Sequence, residues 1–225
     1  MSEEFVAVSR AIRRVGQVIS NVVAKPAFWI VALGIAFVVP LGRAVALGRN
    51  APHAPALSMP LPEFRLTNER GEAYGSAELK GRVWVADFVF TSCPTACPRL
   101  TEQMAKIQHR GRNLGDAFHL VTFTVDPDND TPERLAAYAE RYHASPARWS
   151  FLTGKLGELE TTVVKGFKIA MGKEETSAGS NIFSIFHGER LVLVDPAGNI
   201  RGYYEATDEG VDALMRDIGL VVNGR

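Results

Sequence analysis

Val83-Trp84-Val85-Ala86-Asp87-Phe88-Val89-Phe90-Thr91-Ser92-Cys93-Pro94-Thr95-Ala96-Cys97-Pro98 contains both cysteines of the chain, in one C-x-x-x-C. The apolar run that leads in is rich in valine and phenylalanine and reads as a buried strand. After it, Leu100, Met104, Ile107 and Gln108 recur at helical spacing until Gly111 ends the pattern. The thiols therefore lie where a strand delivers the chain to a helix N-terminus. Proline is tolerated at the first helical position, which predicts a helix from Pro98 with Cys97 as its cap and Cys93 to Cys97 as a loop. In that arrangement the helix dipole and the free N–H groups stabilise a thiolate at Cys97. A disulfide closing so short a loop constrains the unfolded chain by roughly 2 kcal/mol, against about 5 for a loop of about a hundred residues. The spacing thus argues against a structural staple. It favours redox chemistry or a grip on one soft metal ion, and by itself does not choose between them.

The remaining sequence sets this stretch in an α/β domain. Phe118–Val125, Trp149–Leu152 and Leu191–Val194 read as further strands. Asp195-Pro196-Ala197-Gly198-Asn199 is a turn signal that pairs Ile200–Tyr204 back as a hairpin. Thr131 and Pro132 open a helix with Leu135, Tyr138, Ala139 and Tyr142 along one face. Val211–Ile218 closes the domain as an amphipathic helix. Strands alternate with helices, which defines a layered α/β architecture. The chain carries 25 basic and 25 acidic side chains in 225 residues, so it lacks the basic footprint of a nucleic-acid binder.

The N-terminal part has a different character. Phe5, Val8, Ile12, Val15, Ile19 and Val22 share one helical face, with Arg10, Arg13 and Arg14 opposite. That pattern suits either a membrane-surface helix or a solvated extension. Pro26–Gly42 is uncharged over 17 residues, and Lys25 and Arg43 bracket it. This is the short limit of a bilayer span, extensible through Ala44–Gly48 if Arg43 snorkels. Basic residues before it outnumber those after it, which places the N-terminus in the cytoplasm. Ala44-Val45-Ala46 offers a signal-peptidase site, but the 25-residue leader is long for a cleaved signal, and an uncleaved anchor is expected. The expected organisation is a cytoplasmic amphipathic segment over 1–25, a transmembrane anchor over 26–48, a Pro/Ala-rich tether over 49–60 and a domain over 61–225. That domain lies outside a bacterial inner membrane. His53 reads as a solvated linker residue.

A strand, a cysteine pair at a helix start and a terminal hairpin together look like a thioredoxin-like fold. More closely, the domain resembles the Sco/SenC family of copper-handling proteins. Three motifs in register carry the resemblance: Phe88–Pro98, then Phe123-Thr124-Val125-Asp126-Pro127-Asp128-Asn129-Asp130-Thr131-Pro132, then His187 followed by Leu191–Gly198. The resemblance implies one copper ion, Cu(I) or Cu(II), held by Cys93, Cys97 and His187, a donor set chemically suited to copper. It also implies a membrane-anchored metallochaperone, not an enzyme, that delivers the ion to the dinuclear copper site of cytochrome c oxidase subunit II. A lone histidine before a buried strand is ordinarily structural, and it is the motif register that assigns His187. Phe186 and Thr95 stand where family members commonly carry aspartates. The alternative from another class is a thiol–disulfide oxidoreductase in which Cys93 and Cys97 react with a partner and a thioredoxin-like reductant regenerates them. The acidic loop Asp126, Asp128, Asp130 reads either as a patch near the metal or as turn and capping chemistry. Met59, Met104 and Met171 read as packing residues rather than ligands.

Overall fold

The computed structural model describes residues 24–49, 54–169, 174–175, 181–182 and 190–224. The chain divides into two compact units, Met1–Pro52 and His53–Arg225. In the first, Pro26–Arg49 forms helix α1. Its Pro26–Arg43 window has mean hydropathy 1.7, and among the described residues it is the one helix long and apolar enough to cross a membrane. Eighteen helical residues rise about 27 Å, close to the hydrocarbon thickness of a bilayer. The amphipathic pattern over Phe5–Val22 lies outside the described residues, as do His53 and Met171.

The second unit is built on a sheet in the order β1-β10-β9-β4-β5-β6-β2-β3. These strands are β1 (Met59–Pro60), β2 (Arg65–Asn68), β3 (Ala73–Gly75), β4 (Val83–Val89), β5 (Phe118–Thr124), β6 (Trp149–Thr153), β9 (Arg190–Val194) and β10 (Asn199–Glu205). A separate ladder pairs β7 (Glu174–Glu175) with β8 (Asn181–Ile182). The centre β4-β5-β6 is parallel, and β9 runs antiparallel to β4. Residues of β4 are buried along its whole length, as are those of β5 and β6. Such strands read as continuous apolar runs because both faces are covered. The β9–β10 hairpin turns where Gly198 adopts φ +85°, and Asp195 Oδ1 accepts from the N–H groups of Ala197 and Asn199. The sheet begins at Met59, whose partner is Ile200.

Helices α2 (Ser76–Leu79), α3 (Ala96–Arg110), α4 (Pro132–Arg141), α5 (Leu156–Glu160) and α6 (Asp208–Val222) complete the domain, with α5 running on into a π-helical turn over Thr161–Gly166. Thr131 caps α4 by accepting from Arg134 N–H, with Pro132 at its first position. Thr207 caps α6 in the same way, accepting from Gly210 N–H. Helix α3 starts at Ala96, two residues before the expected Pro98, and its cap is Thr95 rather than Cys97. Pro98 still fits, because it remains within the first turn, where N–H groups have no intrahelical acceptor. Leu100, Met104 and Ile107 bury the inner face of α3.

An aromatic cluster fills the opposite side of the sheet from Asp87. Phe167 follows the π turn and meets Trp84, Phe88 and Phe123 at ring-centroid distances of 5.9, 5.1 and 5.2 Å. Phe64 joins through Phe123 at 5.4 Å. Each such ring removes on the order of 2–3 kcal/mol worth of apolar surface from water.

Candidate functional site

Strand β4 ends at Val89, and Cys93 N–H then donates to Phe90 O at 3.1 Å. This closes a four-residue turn with Thr91 and Ser92 at its centre. Cys93 is half-buried, whereas Cys97, in the first turn of α3, is 3 % exposed. Both cysteines are free thiols. The Cys97 N–H donates to Cys93 Sγ at 3.4 Å, so the two residues face one another across the loop.

Their chemistry is split. Partial burial alone would push the Cys93 thiol up. Hydrogen bonds to its sulfur from the N–H groups of Cys97, Thr95 and Ala96 and from the Cys97 thiol outweigh that and bring it below its usual range. Burial pushes the Cys97 thiol well above its usual range; the Phe90 N–H opposes this, and the neighbouring Cys93 and Asp87 add to it. The expectation that the helix start favours a thiolate at Cys97 is thus corrected. The free N–H groups of the first turn converge on Cys93, and Cys97 is too deep in the core for them to offset its desolvation.

Two networks hold the pair. Thr101 Oγ1 donates to Cys97 O at 2.8 Å and accepts from Tyr138 OH at 2.7 Å, which ties α3 to α4 behind the buried thiol. On the other side, Asp130 reaches Thr91. Its Oδ2 accepts from Thr91 N at 3.0 Å and from Thr124 Oγ1 at 2.5 Å, and its Oδ1 accepts from Thr91 Oγ1 at 2.5 Å. Of the two readings of the acidic loop, capping belongs to Thr131. Asp126 is buried and accepts from Asn129 Nδ2, Asp128 is exposed, and Asp130 turns toward the cysteine loop. Met104 is fully buried in the core and Met59 packs partly against it.

Sequence reasoning passed over Asp87. It reads as one letter in an apolar strand, yet it is fully buried beneath the helices. Its Oδ1 accepts from Thr122 Oγ1 at 2.5 Å, and its Oδ2 finds no hydrogen-bond partner among the described residues. Burial raises its pKa to about 7, with the Thr122 hydrogen bond opposing. A charged residue on the in-facing register of a buried strand was the available signal. His187, the third expected ligand, lies outside the described residues, and among those described no group of three or more His, Cys, Asp or Glu side chains forms a metal cluster. The donor chemistry of the pair nonetheless fits a soft ion: one sulfur is accessible and biased toward thiolate, and the second is adjacent.

A parallel central sheet with an antiparallel hairpin, helices on its faces and a dithiol at a strand-to-helix junction defines a mixed α/β thioredoxin-like protein. Residues 56–223 match the SCO1/SenC family, and the chain belongs to it. It is 32 % identical over 164 residues to a SCO1 protein homolog of Bacillus subtilis, covering 72 % of this chain and 82 % of that one. A Stutzerimonas stutzeri protein described as copper-binding is 29 % identical over 179 residues, covering 76 % and 84 %. The solved structure of BsSco, described as a Sco-family cytochrome c oxidase assembly protein with a disulfide switch, superimposes with a TM-score of 0.65. It is 28 % identical, covering 77 % of this chain and all of that one.

Proposed function

We propose that this protein is a membrane-tethered copper chaperone that takes one copper ion as cargo on Cys93, Cys97 and His187. It would deliver the ion to the dinuclear copper site of cytochrome c oxidase subunit II. The observation that carries the reading is the thiol pair itself: two sulfurs facing one another where β4 leads into α3, one of them accessible and receiving backbone N–H groups, in a chain of the SCO1/SenC family. The relatives' descriptions as copper-binding and as oxidase assembly proteins support the same reading. Helix α1 supports an anchor over 26–48, with a tether leading to the domain outside the membrane; Met59 and Pro60, inside the 49–60 expected for the tether, already pair in the domain's sheet. Thiolates bind Cu(I) well, and an imidazole completes a three-coordinate site that also accommodates Cu(II). Cys93 meets the acceptor first, because it is the less buried member of the pair, and transfer proceeds by exchange of one ligand at a time.

The test is His187→Ala, titrated with copper against a competing chelator. Weakened binding with an unchanged dithiol potential is expected, and unaltered copper affinity removes His187 from the site.

The split between the thiols favours a second reading, a thiol–disulfide reductase. The Cys93 thiolate attacks a partner disulfide, forming a mixed disulfide and releasing one partner thiolate. Cys97 gives up its proton and attacks Cys93 Sγ, releasing the other. Two electrons pass to the partner, and an external thioredoxin-like dithiol restores the pair. Catalytic turnover with such a reductant, indifferent to His187→Ala, would establish this activity.

A further inference from the structure

We propose that Asp130 is a positioning residue for the thiol pair, fixing from the opposite loop the turn that presents Cys93. This deepens the copper reading and rests on the same site. The two cysteines are held by separate devices. Cys97 belongs to helix α3, and its carbonyl is bound by Thr101, which Tyr138 in turn supports. Cys93 precedes the helix, and its neighbours Ser92, Pro94 and Thr95 are exposed, so packing does little to fix them. The Cys93 N–H bond to Phe90 O closes this turn on itself, and what ties it to the opposite loop is Thr91, whose backbone N–H and hydroxyl both go to the Asp130 carboxylate. Asp130 is 39 residues away in sequence and has no exposed surface.

A buried carboxylate is retained only where its oxygens are satisfied, and charged acceptors make the shorter, stronger bonds. Here Thr124 at the end of β5 supplies the remaining donor, and the Thr124 hydroxyl oxygen also accepts from Asp126 N–H at 3.0 Å. Asp130 N–H donates to Asp126 O at 2.9 Å, and Val125 N–H donates to Val89 O at 2.9 Å, so the two loops leave the parallel ladder side by side. The carboxylate thereby sets the gap between a sulfur anchored by the turn and a sulfur anchored by the helix.

The experiment uses the full chain in detergent micelles, with Asp130→Asn, Thr91→Val, Thr91→Ser and the double variant Asp130→Asn/Thr91→Val. Asp130→Asn turns an acceptor into an amide N–H₂ facing donors. Thr91→Val removes one hydroxyl and keeps the shape. The first readout is the metal-free equilibrium for closing the Cys93–Cys97 disulfide against oxidised dithiothreitol, which takes up the two electrons and two protons. Departures from ideal disulfide geometry store strain and make the bond more reducible, so the closure constant in Asp130→Asn falls by roughly 10-fold or more. The second is Cu(I) affinity against a chelator, expected to fall by a similar factor of roughly 10–100. Thr91→Val shows a smaller loss in the same direction, Thr91→Ser behaves as the parent chain, and the double variant is no worse than Asp130→Asn. A merely structural role would lower the unfolding temperature and leave both constants in place. The proposal is overturned if folded Asp130→Asn keeps both constants within about twofold, or if the losses of Asp130→Asn and Thr91→Val multiply as for independent sites. If Asp130→Asn does not fold, Thr91→Val decides. If the parent chain takes no copper, the proposed function fails, while the disulfide equilibrium still tests Asp130.

Discussion

Asp87→Asn provides a strong test of how the buried centre is balanced. In the fold, desolvation lifts Asp87 from 3.8 to about 7. In the unfolded chain it ionises near its ordinary value. Between those limits the unfolded state has shed the proton and the folded state has not, so stability falls as pH rises from about 4 to about 7 and then levels. His119 acts in the opposite sense. It is buried in β5, with Nε2 shared between Tyr74 OH and Ser150 Oγ at 3.1 Å each and Nδ1 without a partner among the described residues. Desolvation first, then Arg82 and Arg70, lower its pKa from 6.5 to about 4. The folded state keeps it neutral where the unfolded state takes up a proton, so stability falls as pH drops from about 6.5 to about 4.

At about 1.4 kcal/mol per unit, Asp87 removes on the order of 3 kcal/mol between about pH 5 and pH 8, and His119 restores on the order of 2 over the same span. The two nearly cancel. In the unit beginning at His53, urea unfolding of the parent should therefore depend weakly on pH across this window. Asp87→Asn keeps an oxygen to accept from Thr122 but cannot ionise. It should be more stable than the parent near pH 8 by a few kcal/mol, and it should lose stability steadily toward about pH 5 as His119 acts unopposed. Parallel pH profiles for parent and variant would refute the reasoning, because Asp87 would then be charged throughout.

Two further outcomes follow from the site and the core. Brief treatment of the reduced protein with iodoacetamide near neutral pH should label Cys93 before Cys97, as read by peptide mass; equal labelling would contradict the split in burial and hydrogen bonding. Phe167→Ala removes the ring that meets Trp84, Phe88 and Phe123 and should cost about 3–5 kcal/mol of unfolding free energy in a denaturant titration.

Much of the fold was legible in local pattern. The apolar runs at Val83, Phe118 and Leu191, the Thr131-Pro132 helix start and the Asp195–Asn199 turn each carry their own chemistry, and each became the element it signals. Both cysteines at a strand-to-helix junction followed from the same pattern, since strand and helix periods differ and Pro98 limits where the helix can begin. Tertiary structure decided which thiol is primed. That depends on how deep each sulfur lies and on which N–H groups reach it, and neither has a sequence period. It also decided that Asp130 faces Thr91 and that Asp87 sits beneath the helices with Thr122 on one carboxyl oxygen, because those neighbours are created by the parallel pairing of β4 with β5. Spacing along the chain specifies what an element is. Desolvation and hydrogen bonding at a site depend on residues that only the assembled sheet brings together.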